Sequence, residues 1–164
     1  MIVTHDSYGF TLVELLVSII ILLTLSGLLI AGYNGFNNTQ AAKQGAASLK
    51  INLESARSKA AYGLKPDGCS SLEGYLVQFP TNTTYTVVAF CTVSGVAEPV
   101  GDVTTFVLPP GLIFSPIPQQ FMFLPLNQGV SLSQQLTIVG NNATQTVFVL
   151  MSGVITDFVP TPTP

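Results

Sequence analysis

The group with the most chemical consequence in the first part of the sequence is a single acid. Residues 9–23 read GFTLVELLVSIIILL, and Glu14 stands alone among apolar and small neighbours. A charged carboxylate in hydrocarbon costs about 2.5–3.5 kcal/mol on insertion scales, so it is kept where it finds a partner. No Lys or Arg occurs between residues 1 and 42. A positive charge can nevertheless be made. Scission between Gly9 and Phe10 would leave a free α-amine on Phe10, one helical turn from Glu14. That ammonium can meet the Glu14 carboxylate of its own chain or of a neighbouring one. In a low-dielectric setting the pair is strongly preferred to two unpaired charges. It would also set the axial register between adjacent helices.

Other reactive groups are few. Cys69 and Cys91 are the two cysteines. In an exported domain such a pair reads as a disulfide, closing a loop of about 23 residues and contributing roughly 3 kcal/mol on the chain-entropy model. In a reducing compartment the same pair would be two buried thiols. The one histidine, His5, precedes Gly9, so a chain cut there would have none. That removes His-dependent triads and His metal ligands, and two cysteines do not make a zinc site. The acids of the second half are scattered and adjoin no recognisable motif. The expectation is a protein that is not an enzyme, with no catalytic residue, no metal site and no cofactor.

Charge is unevenly placed. Lys43, Lys50, Arg57, Lys59 and Lys65 are the five basic residues, and from 66 onward only acids occur: Asp67, Glu73, Glu98, Asp102 and Asp157. Binding of nucleic acid by that half would lack the Lys and Arg contacts that supply most phosphate affinity. The chain is 48% hydrophobic and 8% charged, where about 25% charged is usual for soluble domains. A membrane segment, a heavily packed surface, or both would account for this.

The elements that must carry these groups fall in order. Residues 1–9 are a short polar leader. Residues 10–31 are almost wholly apolar, and at about 1.5 Å per residue they reach about 33 Å, enough to span a bilayer once. GYNGFNN at 32–38 is hostile to helix, and the chain could kink, loosen or end there. Residues 32–64 make a linker and an amphipathic helix. Ala42, Ala46, Leu49, Leu53, Ala56 and Ala60 step by 4 and 3 along one stripe, with Lys50, Glu54 and Arg57 elsewhere on the surface. GLKPDGC at 63–69 ends the helix. Residues 65–159 read as a β-rich head, with strands expected at 74–79, 84–91, 103–108, 120–124, 135–139 and 145–151 and a hairpin about GNNAT. Phe121 and Phe123 are expected to share one sheet face and pack on the helix. NTT at 82–84 and NAT at 142–144 read as polar turns rather than glycosylation sites. Residues 160–164 form a Pro/Thr tail. The fold class is therefore α+β: a long N-terminal helix, apolar then amphipathic, packed on a C-terminal antiparallel sheet.

GFTLVELLVSIIILL resembles the class III signal of type IV prepilins and type II secretion pseudopilins. The resemblance implies cleavage after Gly9 by a prepilin peptidase and N-methylation of Phe10. It implies that Glu14 aligns a subunit with its neighbour in a filament. It further implies a single pass of the inner (cytoplasmic) membrane with the head outside, an inner-membrane assembly platform and other pilin subunits as partners, and final residence in an extracellular or periplasmic filament. LESARSKAAYG at 53–63, LPPGLIF at 108–114, FMFLPLNQG at 121–129 and LTIVGNNATQTVFVLMSGVI at 136–155 resemble the FimT/GspH-like group of minor pilins and pseudopilins, which implies a low-copy subunit. The leader lacks Lys and Arg, so the positive-inside rule alone would put the N-terminus outside; the cleavage motif is the more specific signal and places it inside. The alternatives are a secretion pseudopilin, a DNA-uptake pilin and a signal-anchored extracellular binding module that never assembles. A secretory signal peptide would need a basic n-region and a small-x-small cut after the run, and neither is evident.

Overall fold

The computed structural model describes residues 11–140 and 143–157, with the backbone alone described over 27–38. The expected leader 1–9, with His5 and Gly9, together with Phe10, the hairpin tip 141–142 and the tail 160–164 lie outside the described residues. The chain divides into two compact units, 1–37 and 38–164.

One helix, α1 (Leu12–Ala61), runs through 50 residues. Thr11 caps its start, accepting a hydrogen bond at 3.2 Å from the Glu14 backbone N–H, the arrangement that satisfies one of the four orphan donors of a first turn. The patch at 32–38 leaves the backbone helical throughout. Its two glycines cost about 1 kcal/mol each, and a long helix already nucleated on both sides absorbs that penalty. At the far end Gly63 takes φ +61°. The Leu64 N–H donates to the Lys59 carbonyl and the Gly63 N–H to the Ala60 carbonyl, both at 3.0 Å. This is the paired-bond ending that a left-handed glycine permits, and it stops the helix within the expected GLKPDGC cluster.

In the second unit the strands form two antiparallel sheets where a single sheet was expected, within the same α+β class. Eight strands occur in chain order: β1 (Ser71–Gln78), β2 (Thr84–Val93), β3 (Val96–Val107), β4 (Ile113–Phe114), β5 (Phe121–Phe123), β6 (Gln134–Gly140), β7 (Ala143–Val149) and β8 (Ile155–Thr156). One sheet is ordered β3-β2-β1-β5 and the other β4-β6-β7-β8. The expected hairpin is β6 and β7, paired from Gln134 opposite Val149 to Gly140 opposite Ala143. A 3-10 turn, Pro125–Asn127, follows β5, and a bridge between Phe123 and Val130 closes the loop beyond it.

The core sits between α1 and both sheets. All six residues of the helical stripe, Ala42, Ala46, Leu49, Leu53, Ala56 and Ala60, are buried in one cluster with Tyr85, Phe114, Phe121, Phe123, Leu136, Ile138, Val147 and Val149. Small alanines let the helix approach closely, while Leu49 and Leu53 fill the space between. Phe121 and Phe123 face the core as expected and meet edge to face at 5.5 Å between centroids. Tyr85 stacks on Phe106 at 5.0 Å. The NTT segment is a turn: the Thr81 hydroxyl accepts from the N–H groups of Thr83 and Thr84 at 3.2 and 3.1 Å.

Candidate functional site

The first turn of α1 is the candidate site. Leu12, Val13 and Glu14 are its first three residues, with Thr11 as cap. Thr-x-x-Glu is the spacing of a capping box, and the threonine's half of that box is made. Glu14 therefore occupies a position where the positive end of the helix dipole favours a carboxylate by about 0.3–1 kcal/mol. Thr11 is a residue that reading for charge alone passes over, although its spacing from Glu14 was visible in the sequence.

The chain around Glu14 is apolar on every side. Leu12 is 81% exposed and Leu23 68% exposed, and the apolar residues between them are likewise open. A helix that is hydrophobic all round is one that other helices or lipid must cover. Its hydroxyls are satisfied within the helix itself. Ser18 donates to the Glu14 carbonyl at 2.8 Å, Thr24 to the Ile20 and Ile21 carbonyls at 3.1 and 2.9 Å, and Ser26 to the Leu22 carbonyl at 2.7 Å. The Glu14 carboxylate is the exception: it has no partner among the described residues. Gly9 and Phe10, the expected processing pair, lie outside the described residues, so the distance from Glu14 to a Phe10 amine is not defined. No helix among the described residues is long and apolar enough to cross a membrane; the expected span 10–31 takes in Phe10 and residues 27–31, whose side chains lie outside them.

The cysteines meet. Cys69 and Cys91 form a disulfide with Cα atoms 5.5 Å apart, tying the segment after α1 to β2. Elsewhere in the head, polar side chains serve the fold. Asn52 donates its amide to the Tyr85 hydroxyl at 2.7 Å, and Tyr75 donates to the Leu64 carbonyl at 2.9 Å. Burial raises the pKa of both phenols, with the Asn52 hydrogen bond opposing the rise at Tyr85. Lys50 pairs with Asp157 at 3.0 Å, linking α1 to the segment after β8. Among the described residues no three His, Cys, Asp or Glu side chains stand close enough to hold a metal ion.

One further feature escaped the sequence reading. The turns 125–129 and 151–153 interlock: the Leu124 N–H donates to the Gly129 carbonyl at 2.9 Å and the Val130 N–H to the Met151 carbonyl at 3.0 Å. Gly129, at φ +89°, lies so close to Met151 that a Cβ there would collide with its carbonyl oxygen. Leu126 and Asn127 hold φ of 55° and 59°, a left-handed backbone that costs non-glycine residues about 1–3 kcal/mol each. Beside this seam Arg57, Tyr62 and Asn127 line a surface notch of about 210 Å³. The separate parts, a basic helix end and an FMFLPLNQG loop, were legible; their meeting depends on tertiary packing.

Comparison with known proteins bears on the N-terminal segment. Residues 5–30 match the model of the prokaryotic N-terminal methylation motif. The chain matches no curated protein and no solved structure. With Thr11 capping a helix whose first turn carries an unpartnered acid, the chain bears a prokaryotic N-terminal methylation motif and is, in that segment, similar to type IV prepilins and pseudopilins.

Proposed function

We propose that this protein is a structural subunit, in a minor role, of a type IV pilus or pilus-like filament. A prepilin peptidase cuts after Gly9 and the new Phe10 amine is methylated. The helix 10–31 holds the subunit in the inner membrane and later lies in the filament core, while 65–159 forms the outer head. The observation that carries this reading is the Glu14 carboxylate, unpartnered among the described residues on an otherwise self-satisfied apolar helix, within a segment that matches the methylation motif. A Phe10 ammonium created at the positive end of a helix dipole is itself unfavourably placed. A neighbouring subunit's Glu14 offsets both charges at once and fixes the stagger between the two helices. Support for an outer head comes from the Cys69–Cys91 disulfide, which persists outside the reducing cytoplasm.

Mass spectrometry of purified filaments tests this. The expected result is an N-methylated peptide beginning at Phe10 with FTLVE, at a stoichiometry well below that of the most abundant subunit. Filaments lacking this chain, or a membrane-held chain retaining Gly9, would favour a signal-anchored module that never assembles.

A further inference from the structure

The second sheet has an open side. In the order β4-β6-β7-β8, the edge strand β8 pairs with β7 only at Phe148 and Val149. Residues 143–147 of β7 pair with β6, and among the described residues no strand pairs with their other side. Between that stretch and α1 lies a hollow of about 510 Å³. Ala46, Ala47 and Ile51 line it from the helix, and Gln145 and Thr146 from the strand. Ile51 is 68% exposed and is the one large apolar side chain exposed on α1 between residues 43 and 59. A bare strand edge and an apolar hollow thus adjoin, and proteins blunt such edges by covering them with a loop or with proline. The chain itself arrives at this place. Asp157, the residue after β8, stands on the lip of the hollow, and its carboxylate accepts a hydrogen bond from Lys50 Nζ at 3.0 Å. An exposed pair of this kind contributes little energy; its effect is to fix where the chain leaves the sheet. The chain bends at Asp157. The next residues are Phe158, Val159 and Pro160, two large apolar side chains followed by a residue with no backbone donor. Three extended residues reach about 10 Å, while Ala46 lies one helical turn, about 6 Å, from Lys50.

We propose that residues 158–160 close this hollow as a latch between α1 and the second sheet. Phe158 and Val159 lie over Ala46, Ala47 and Ile51, and Pro160 guards the bare edge of β7. Pro160 cannot donate to a ladder, so side chains fill the site and the sheet does not grow. Lys43, which also lines the hollow, can lay its methylene stem along the segment while its ammonium stays in water. The occupant is the chain's own segment because Lys50 already holds its first neighbour at the lip, and because its apolar residues come first and its non-donor next. The consequence is that this face of α1 is covered within each subunit and is not a contact face for neighbouring ones. The latch requires neither cleavage after Gly9 nor assembly, so it stands apart from the filament reading.

Fluorescence tests it, because the chain has no tryptophan and Phe158→Trp supplies a single reporter. The full-length chain is placed in lipid nanodiscs at one copy per disc, which excludes a second copy. The expected result is blue-shifted emission that acrylamide quenches slowly. Adding Ile51→Glu or Ala47→Glu should move the emission to the red and lower the ratio of docked to free segment about tenfold. Both positions are exposed, and a cooperative urea transition in each variant verifies that the head remains folded. Emission of a fully hydrated indole overturns the proposal. So does protection that ignores both Ile51→Glu and Ala47→Glu, which would put the segment on lipid or elsewhere on the head. Protection that appears only with two or more copies per disc overturns it as well, since the occupant would then be another subunit.

Discussion

The Thr11 hydroxyl accepts the Glu14 backbone N–H at 3.2 Å, which fixes the acid in the first turn of a 50-residue helix. The bond engages the main chain of Glu14, and its carboxylate has no partner among the described residues. Position and charge are thus supplied by separate groups, so they can be removed separately.

The cap contributes to helix stability alone. Thr11→Ala should cost about 1 kcal/mol and fray the first turn, while the chain is still processed and incorporated at near-normal levels. Amide exchange at residues 13–15 in the membrane-bound chain would show the fraying directly.

The disulfide should carry a large share of head stability. Joint substitution of Cys69→Ser and Cys91→Ser is expected to lower unfolding free energy by about 3 kcal/mol, the chain-entropy value for a loop of this size. The midpoint of urea unfolding followed on the full-length chain in detergent measures it.

Tyr85 is held protonated by burial, which raises its pKa despite the Asn52 hydrogen bond. In the unfolded chain the phenol ionises near its ordinary value of about 10. Above that pH the folded state holds more protons than the unfolded one. The contribution of Tyr85 is therefore fully present below the unfolded pKa and is lost as pH rises through the folded one. Tyr85→Phe should flatten the alkaline fall in urea midpoint, with Tyr75 supplying what remains. At neutral pH the same change should cost about 1–3 kcal/mol, because it leaves the part-buried Asn52 amide without its acceptor.

Gly129→Ala places a Cβ against the Met151 carbonyl oxygen on a backbone at φ +89°. A loss of about 2–4 kcal/mol is expected, read as a lower thermal midpoint. Alanine at the exposed neighbour Gln128 should be near neutral.

Much of this architecture was legible because the residues concerned state their own periodicity. The stripe from Ala42 to Ala60 named the buried face of α1, GLKPDGC named its end, and the β-branched runs flanking GNNAT named β6 and β7. Legibility failed where pairing is decided by the rest of the fold. The two-residue strands β4 and β8 are too short to show alternation, and the first half of β3, VAEPV, contains a proline and an acid that weaken any strand signal. The division into two sheets likewise depends on which edges meet. At the site, Glu14 was conspicuous by its charge, whereas Thr11 is one of many hydroxyl residues and acquires meaning only from its spacing to Glu14. The Arg57 notch brings together a helix and a loop about 70 residues apart in sequence, a relation that local patterns do not encode.

The central claim is that the charge of Glu14 pairs one subunit with the next. Glu14→Gln keeps the size of the side chain and the backbone bond to Thr11, and removes only the charge. Quantifying this variant in purified filaments, beside its processed fraction in the membrane, tests the claim most directly. The account predicts normal cleavage and insertion with incorporation reduced at least about tenfold. Incorporation equal to that of the unsubstituted chain would contradict it.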